Sequence, residues 1–304
     1  MRFSLVVATV GRTLELQRLL ESVDRQTHRD FEVIVVDQNT DHRLIPLVAA
    51  FDGRFDIVRV TSAPGLSLAR NRGLREVTGE VVSFPDDDCW YDHNVLKQVD
   101  DVFALNPGWH GVNGDAIDES GNLILPWRDR PGRLTRPKSW RRSLAYTYFL
   151  RTEVFRTIGG FDVMLGVGSP GPWQSGEDSD LMLRAIDAGH YVAYDPNIRV
   201  NHPRLFLSFN ETTRLKRYGY ALGDGRVLRK HPMPLWWIAL FFGVPMGRIL
   251  AGMAKLNYRE MLFHWTTVLG RFRGWRRGDL AAAFDSGEMT PAAPTDTPES
   301  VKKD

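Results

Sequence analysis

The chain has 304 residues, enough for one large domain or two modest ones, and its 43% hydrophobic and 25% charged residues describe an ordinary globular protein. A net charge of +2 gives no electrostatic footprint for nucleic acid. The single cysteine, Cys89, excludes an intramolecular disulfide and a cysteine-based zinc cluster, and fits a reducing compartment.

Residues 3–8 form a short β-rich run that ends in "TVGR". The run is too short for a secretory h-region and no small-residue cleavage site follows, so it reads as a first strand and places the chain in the cytoplasm. Residues 13–24 carry Leu14, Leu16, Leu19, Leu20 and Val23 at helical spacing. Residues 31–36 are a second strand closed by the turn formers of "DQNT", and 55–60 a third. A helix over 66–77 and a strand over 80–84 follow, and three carboxylates, Asp86, Asp87 and Asp88, stand at that strand's end. Strands alternating with helices imply a mostly parallel sheet with right-handed crossovers, in which ligands bind beyond the carboxyl ends of the strands. Thr9, Arg12, Asp37, Asn39 and Asp86–Asp88 should therefore converge on one edge.

The middle is less regular: hairpin strands over 109–124, a loop rich in Arg, Pro and Trp over 125–142, and a strand over 146–151. A Gly- and Pro-rich segment over 166–176, "GVGSPGPWQSG", leads into a helix over 177–188. Residues 235–244 are apolar without interruption, but Pro245 and Arg248 end the run short of the roughly 20 residues that span a bilayer. Aromatic residues interleaved with Lys and Arg up to Arg277 describe either helices lying in an anionic membrane surface or core helices packed on the main domain. These features divide the chain into a catalytic domain over 1–205 (a nucleotide-binding half over 1–90 and an acceptor half over 91–205), a helical membrane-associating extension over 206–286, and a Pro-, Thr- and Glu-rich disordered tail over 287–304.

Adjacent carboxylates after a strand can be a solvated turn or a helix N-cap. They also suit a divalent cation, because Mg²⁺ is commonly held by one or two carboxylates plus substrate phosphates. With strand geometry continued, Asp86 and Asp88 share a side and Asp87 faces away. Glu177 and Asp178 fall in the first turn of a helix, where the dipole favours negative charge. A carboxylate at the mouth of a glycine-rich loop is also placed to act as a general base. Cys89 is a poor nucleophile, since flanking carboxylates disfavour its thiolate.

Four segments in order resemble glycosyltransferase family 2, the inverting, nucleotide-sugar-dependent enzymes of GT-A fold. They are "LVVATVGRTLELQRLLESVDRQTHRDFEVIVVDQNT", "GLSLARNRGL", "FPDDDCWY" (the D-x-D motif) and "GEDSDLMLRAIDAGH" (the E-D motif), together covering about residues 3–190. The resemblance implies a GT-A, Rossmann-like α/β sheet flanked by helices, here with a C-terminal amphipathic helical extension. It also implies a nucleotide site in which Thr9 and Arg12 line the pocket, Asp37 accepts from the uracil edge, Arg70 meets base or phosphate, and Asp86 lies near the ribose, with Asp87 also among the nucleotide-binding residues. Asp88 and His202 would hold Mn²⁺ or Mg²⁺, and Asp178 would deprotonate the acceptor hydroxyl. Glu177 and Trp173 would contact the acceptor, Trp173 by stacking on a sugar from a loop that is either a lid or a connector. The chain departs from the family pattern at "ATVGR", at "DQNT" and at Cys89.

Seven basic residues against one acid within 128–142, with the C-terminal aromatic–basic helices, suggest a phosphate-bearing acceptor near a membrane, such as a polyprenyl-diphosphate-linked sugar of exopolysaccharide or lipopolysaccharide assembly. The rival readings are a non-catalytic glycan- or nucleotide-binding scaffold and a nucleotidyltransferase, which lacks its triphosphate-gripping glycine loop here. A Rossmann dehydrogenase is excluded, because no G-x-G-x-x-G follows the first strand.

Overall fold

The computed structural model of the chain describes residues 1–125, 130–142, 144–204 and 208–276. Its first half alternates as the periodicity requires: β1 (Phe3–Thr9), α1 (Leu14–Asp24), β2 (Phe31–Asp37), α2 (Ile45–Ala49), β3 (Asp56–Thr61), α3 (Leu66–Leu74) and β4 (Val81–Ser83). β1 and β2 are almost wholly buried, which is why they read as continuous apolar runs rather than alternating ones. α3 packs on this sheet through Gly73, where an added Cβ would lie 2.3 Å from Val6 Cγ1. The glycine of "ARNRG" is thus a contact requirement.

The second half supplies β5 (Trp90–Tyr91), α4 (Val95–Leu105), β6 (Gly111–Ile117), β7 (Gly132–Arg133), α5 (Arg136–Arg141), β8 (Tyr148–Arg151), α6 (Thr152–Ile158), α7 (Glu177–Asp187) and β9 (Val192–Asn201). The nine strands make one sheet of order β3-β2-β1-β4-β8-β6-β9-β5, with β7 paired to β9. Pairing is parallel from β3 to β4, and β1, β2 and β3 are each followed by a helix. It turns antiparallel at β8, which pairs with both β4 and β6, so the sheet is mixed. Two apolar layers sandwich it: Leu16, Leu19, Val33 and Phe149 on one face, and Val6, Ile34, Leu150 and Leu181 on the other.

Three helices follow: α8 (Glu211–Lys230), α9 (Leu235–Ala254) and α10 (Tyr258–Arg276). α8 and α10 meet at backbone distance, since a Cβ added at Gly274 would lie 2.1 Å from the Leu222 carbonyl oxygen. The expected break at Pro245 does not occur: α9 runs 20 residues through it. Proline removes the N–H that would bond the carbonyl four residues earlier. That carbonyl, of Phe241, accepts from Arg271 Nη1 of α10 instead.

The stretch read as loop over 125–142 contains α5, and its basic residues are partly structural. Arg142 is buried, donates to Asp115 Oδ1 at 2.7 Å and stacks 3.8 Å over the Tyr194 ring, while Arg136 bridges Asp187 and the Pro232 carbonyl. The disordered-tail expectation for 287–304 lies outside the described residues, as do 126–129 of the basic stretch and 277–286 of the extension.

Candidate active site

The site forms where β1, β2, β4 and β9 end. β4 stops at Ser83, so 86–88 follow a turn rather than a strand, with Cys89 N–H closing on the Asp86 carbonyl. Asp86 and Asp88 nevertheless come together. Their carboxylate oxygens and His202 Nε2 all lie within 4.8 Å of one another.

Each charge has its own partner. Thr9 Oγ1 donates to Asp87 Oδ2 at 2.7 Å, and Arg12 Nη1 reaches Asp87 Oδ1 at 2.7 Å and Asp88 Oδ2 at 2.6 Å. Arg70, 3% exposed, donates to Asp86 Oδ1 at 3.0 Å and Asp178 Oδ1 at 2.8 Å, with Glu177 Oε1 at 3.7 Å. The triplet is therefore neutralised by two arginines from α3 and the β1–α1 turn, and by His202. Burial pushes Asp86 up to about 6, helped by Asp178 and Asp88 and opposed by Arg70 and His202. Burial also raises Asp87, against Thr9 and Arg12. For Asp88 burial is outweighed by His202 and Arg12, and the net shift is downward.

His202 sits at the end of β9, stacked on Tyr146 with ring centroids 4.8 Å apart. Its Nδ1 lies 2.8 Å from the Pro203 carbonyl and Nε2 lies 3.2 Å from Asp88 Oδ1. A carbonyl only accepts, so Nδ1 carries a proton and Nε2 is the nitrogen turned to the carboxylates. Burial lowers its pKa, the Asp88 contacts overcome that, and the net direction is up. Two carboxylates and one imidazole nitrogen form a hard, oxygen-rich donor set suited to Mn²⁺ or Mg²⁺. The residues fit the ion.

α7 brings Asp178, whose Oδ2 accepts the Ala145 N–H at 2.9 Å. Glu177 beside it is buried; burial and Asp178 push its carboxyl up to about 8, and its Oε2 has no hydrogen-bond partner. Asp180, one turn on, is held by Arg184, Lys230 and His231.

Two residues are more enclosed than the sequence suggested. Trp173 is fully buried among Leu165, Leu183, Leu222 and Trp237, with Arg226 over its ring at 5.1 Å, so it is not available to stack on a sugar. Its loop is tied down, with Gln174 N–H on the Gly219 carbonyl, Ser175 Oγ on the Tyr220 carbonyl and the Val167 carbonyl on Leu66 N–H. Asp37 is likewise fully buried; its Oδ2 accepts Arg59 Nε at 2.7 Å and its Oδ1 accepts from Asn39, so it presents no open edge to a base. Sequence reasoning missed Arg18, which donates to the Asp88 carbonyl at 2.6 Å and lies 4.0 Å over Trp90. Its place on the exposed-looking side of an amphipathic helix gave no signal.

The family model for "Glycosyl transferase family 2" matches residues 4–150, just under half of the chain. An uncharacterized glycosyltransferase of Haemophilus influenzae is 25% identical over 213 residues, covering 68% of each chain. A glucosyl-dolichyl phosphate glucuronosyltransferase of Haloferax volcanii is 24% identical over 223 residues, covering 66% of this chain and 69% of that one. Among solved structures, S. aureus TarS 1-349 in complex with UDP-GlcNAc superposes with a TM-score of 0.57 at 16% identity, over 91% of this chain and 92% of that one. The mannosyltransferase PcManGT of Pyrobaculum calidifontis, in complex with GDP-Man and Mn²⁺, superposes with a TM-score of 0.57 at 17% identity, over 94% and 79%. The fold is GT-A, and the family match over residues 4–150 and the curated relatives are those of glycosyltransferases.

Proposed function

We propose that the protein moves a sugar from a nucleotide-sugar, a UDP-sugar first, to a hydroxyl of a glycan or lipid-linked acceptor, with inversion at the anomeric carbon and Asp178 as general base. The observation that carries this reading is that one buried arginine, Arg70, bonds both Asp86 of the candidate metal cluster at 3.0 Å and Asp178 at 2.8 Å. The donor's diphosphate and the base would then share one small site. Mn²⁺ or Mg²⁺ held by Asp86, Asp88 and His202 would supply Lewis-acid neutralisation of the departing diphosphate. Arg12 and Arg70 add fixed positive charge at the same place. The Ala145 N–H and Arg70 orient the Asp178 carboxylate, which retains lone pairs to take the acceptor proton as the oxygen attacks; such a base contributes about 10²–10⁴-fold. The tied 166–176 loop covers α7's start and limits water, which would otherwise hydrolyse the donor.

The bound ligands of TarS and PcManGT support a nucleotide-sugar donor, and the Haloferax relative's dolichyl phosphate supports a lipid-linked acceptor. Membrane contact is supported by α9, whose mean hydropathy of 1.5 accompanies only 22% burial of its most apolar window. With α9 packed on α10, the exposed Leu235, Trp236, Leu250 and Leu256 would lie in the cytoplasmic face as a peripheral contact. With such an acceptor, the proposed setting is exopolysaccharide or lipopolysaccharide assembly.

The test is thermal unfolding with UDP, GDP and dTDP, each with and without Mn²⁺, on the native protein and Asp88→Ala. Ligand at about 100 times its Kd stabilises by about 2.7 kcal/mol. A metal-dependent shift with one nucleotide, lost in Asp88→Ala, is expected; no shift with any nucleotide favours the scaffold reading. With the donor known, an α-linked product from an α-linked donor would refute inversion.

A further inference from the structure

A groove of about 740 Å³ lies between α5 and the three C-terminal helices, away from the carboxylate cluster. That volume falls within the roughly 300–1,000 Å³ of small-molecule pockets. Its walls are apolar: Trp140 of α5, Phe263 of α10, and Trp236, Leu240 and Val244 along one line of α9. These α9 residues recur every fourth position and end at Arg248, so the stripe from Trp236 to Arg248 rises about 18 Å along the helix axis. Trp236, Leu240 and Val244 remain more than half exposed, so this wall of the groove is open to the outside.

Arg141, Arg217, Arg248 and Arg271 line the groove, and none of its described lining residues is a carboxylate. Asp224 pairs with Arg217 at 2.8 Å and with Arg271 at 3.3 Å, one carboxylate for two guanidinium groups. With Arg248 at the end of the stripe, Arg217 and Arg271 sharing one carboxylate give an oily channel with excess positive charge at its walls. A hydrophobic chain ending in an anion is complementary to it, whereas a neutral glycan or an acidic peptide matches only one of the two features.

The groove is also joined to the catalytic end. α5 contributes Trp140 and Arg141, and four residues later the Ala145 N–H holds Asp178. Four residues span at most about 14 Å, so the backbone at Arg141 lies within about that distance of the N–H that holds Asp178.

We propose that this groove seats the acceptor's lipid: a hydrocarbon chain against the α9 stripe, with its phosphate or diphosphate among the arginines. The assignment rests on the glycosyltransferase reading above and names the acceptor class of that same site.

Isothermal titration of the full chain with farnesyl phosphate, below its micellar concentration, tests it against farnesol and inorganic phosphate. Saturable binding of farnesyl phosphate is expected, with each fragment at least about ten-fold weaker, a difference of about 1.4 kcal/mol. Val244→Trp, which fills the channel, and the double variant Arg141→Gln/Arg248→Gln should each weaken farnesyl phosphate by about ten-fold or more. Unfolding midpoints are measured alongside; Val244 and Arg248 are exposed, so Arg248→Gln alone serves where the double variant does not fold. Farnesyl phosphate binding no tighter than inorganic phosphate, or unchanged in these variants, overturns the assignment. UDP with Mn²⁺ is titrated on the same samples: retained nucleotide binding without lipid binding refutes the groove alone, and lipid binding without nucleotide binding refutes the donor reading alone.

Discussion

Asp178 Oδ1 lies 2.8 Å from Nη1 of Arg70, and the other amino group of the same guanidinium lies 3.0 Å from Asp86. One planar cation therefore fixes the spacing between an α7 carboxylate and a carboxylate beyond β4, from segments separated by 108 and 16 residues. Burial alone would lower the Arg70 pKa, but Asp178, Asp86 and Glu177 outweigh it, and the net direction is up. Lysine is a point charge and cannot reproduce this two-pronged geometry. Arg70→Lys should keep the fold and lose about 10²-fold in kcat, because misplacement by about an ångström costs that much. Arg70→Ala, which leaves the half-buried Asp86 and Asp178 without their shared donor, should cost about 1–3 kcal/mol of stability. Denaturant unfolding and initial rates on the two variants separate the effects; an active Arg70→Lys would show that charge alone suffices.

Asp178→Asn keeps the size and the Ala145 contact but removes the proton acceptor. The expected result is a loss of about 10²–10⁴ in kcat. On the proposed reading the donor's diphosphate would be held through a cation at Asp88 and by Arg12, so nucleotide affinity should be unchanged. Steady-state kinetics with a nucleotide titration checks this; a parallel loss of affinity would place Asp178 in donor binding.

The sequence made the parallel half of the fold readable because its strands are buried on both faces and its turns carry short polar signatures. The carboxylates at the β4 end were also readable, as type and spacing, although their convergence comes from a turn rather than a continued strand. What was hidden depends on contacts distant in the chain. Pro245 reads locally as a stop, and only Arg271 on another helix lets α9 continue by taking up the Phe241 carbonyl. Trp173 reads as an available aromatic in a glycine loop until α8 and α9 bring Leu222 and Trp237 over it. Asp37 reads as a free strand-end acid, but Arg59, from the neighbouring strand, occupies it.

Asp180 gives a test on stability rather than catalysis. It is fully buried; burial would raise its carboxyl, but His231, Arg184 and Lys230 outweigh that and hold it well below the usual carboxylate range. A folded pKa below the unfolded value of about 3.9 contributes stability that is fully present above pH 4–5 and is lost as pH falls through the folded pKa. Lys230 and His231 end α8, so this carboxylate also anchors the helical extension to α7. Asp180→Asn should lower stability at pH 7 by about 3–5 kcal/mol, as for breaking one partner of a buried pair. The variant should also show a flatter acid limb in denaturant midpoints measured from neutral to low pH. An unchanged acid limb would mean other carboxylates govern acid unfolding.

Glu177 works in the opposite direction. Burial, with Asp178 alongside and Arg70 opposing, raises its carboxyl to about 8. A carboxyl whose folded pKa is raised binds its proton more tightly folded than unfolded. The folded state therefore loses stability as pH climbs from the unfolded value of about 4.3 towards the folded one, and the loss is complete above it. Glutamine fixes the neutral form and removes this slope. Glu177→Gln should match the native protein near pH 5 and be the more stable of the two near pH 8–9, the gap widening steadily between, as read by urea midpoints in the absence of nucleotide and metal. The unpartnered Oε2 is the reason: ionised, it would be a buried charge with no donor of its own. A native protein whose midpoint is as flat as the variant's across that interval would show that Glu177 stays ionised and that Arg70, at 3.7 Å, outweighs burial.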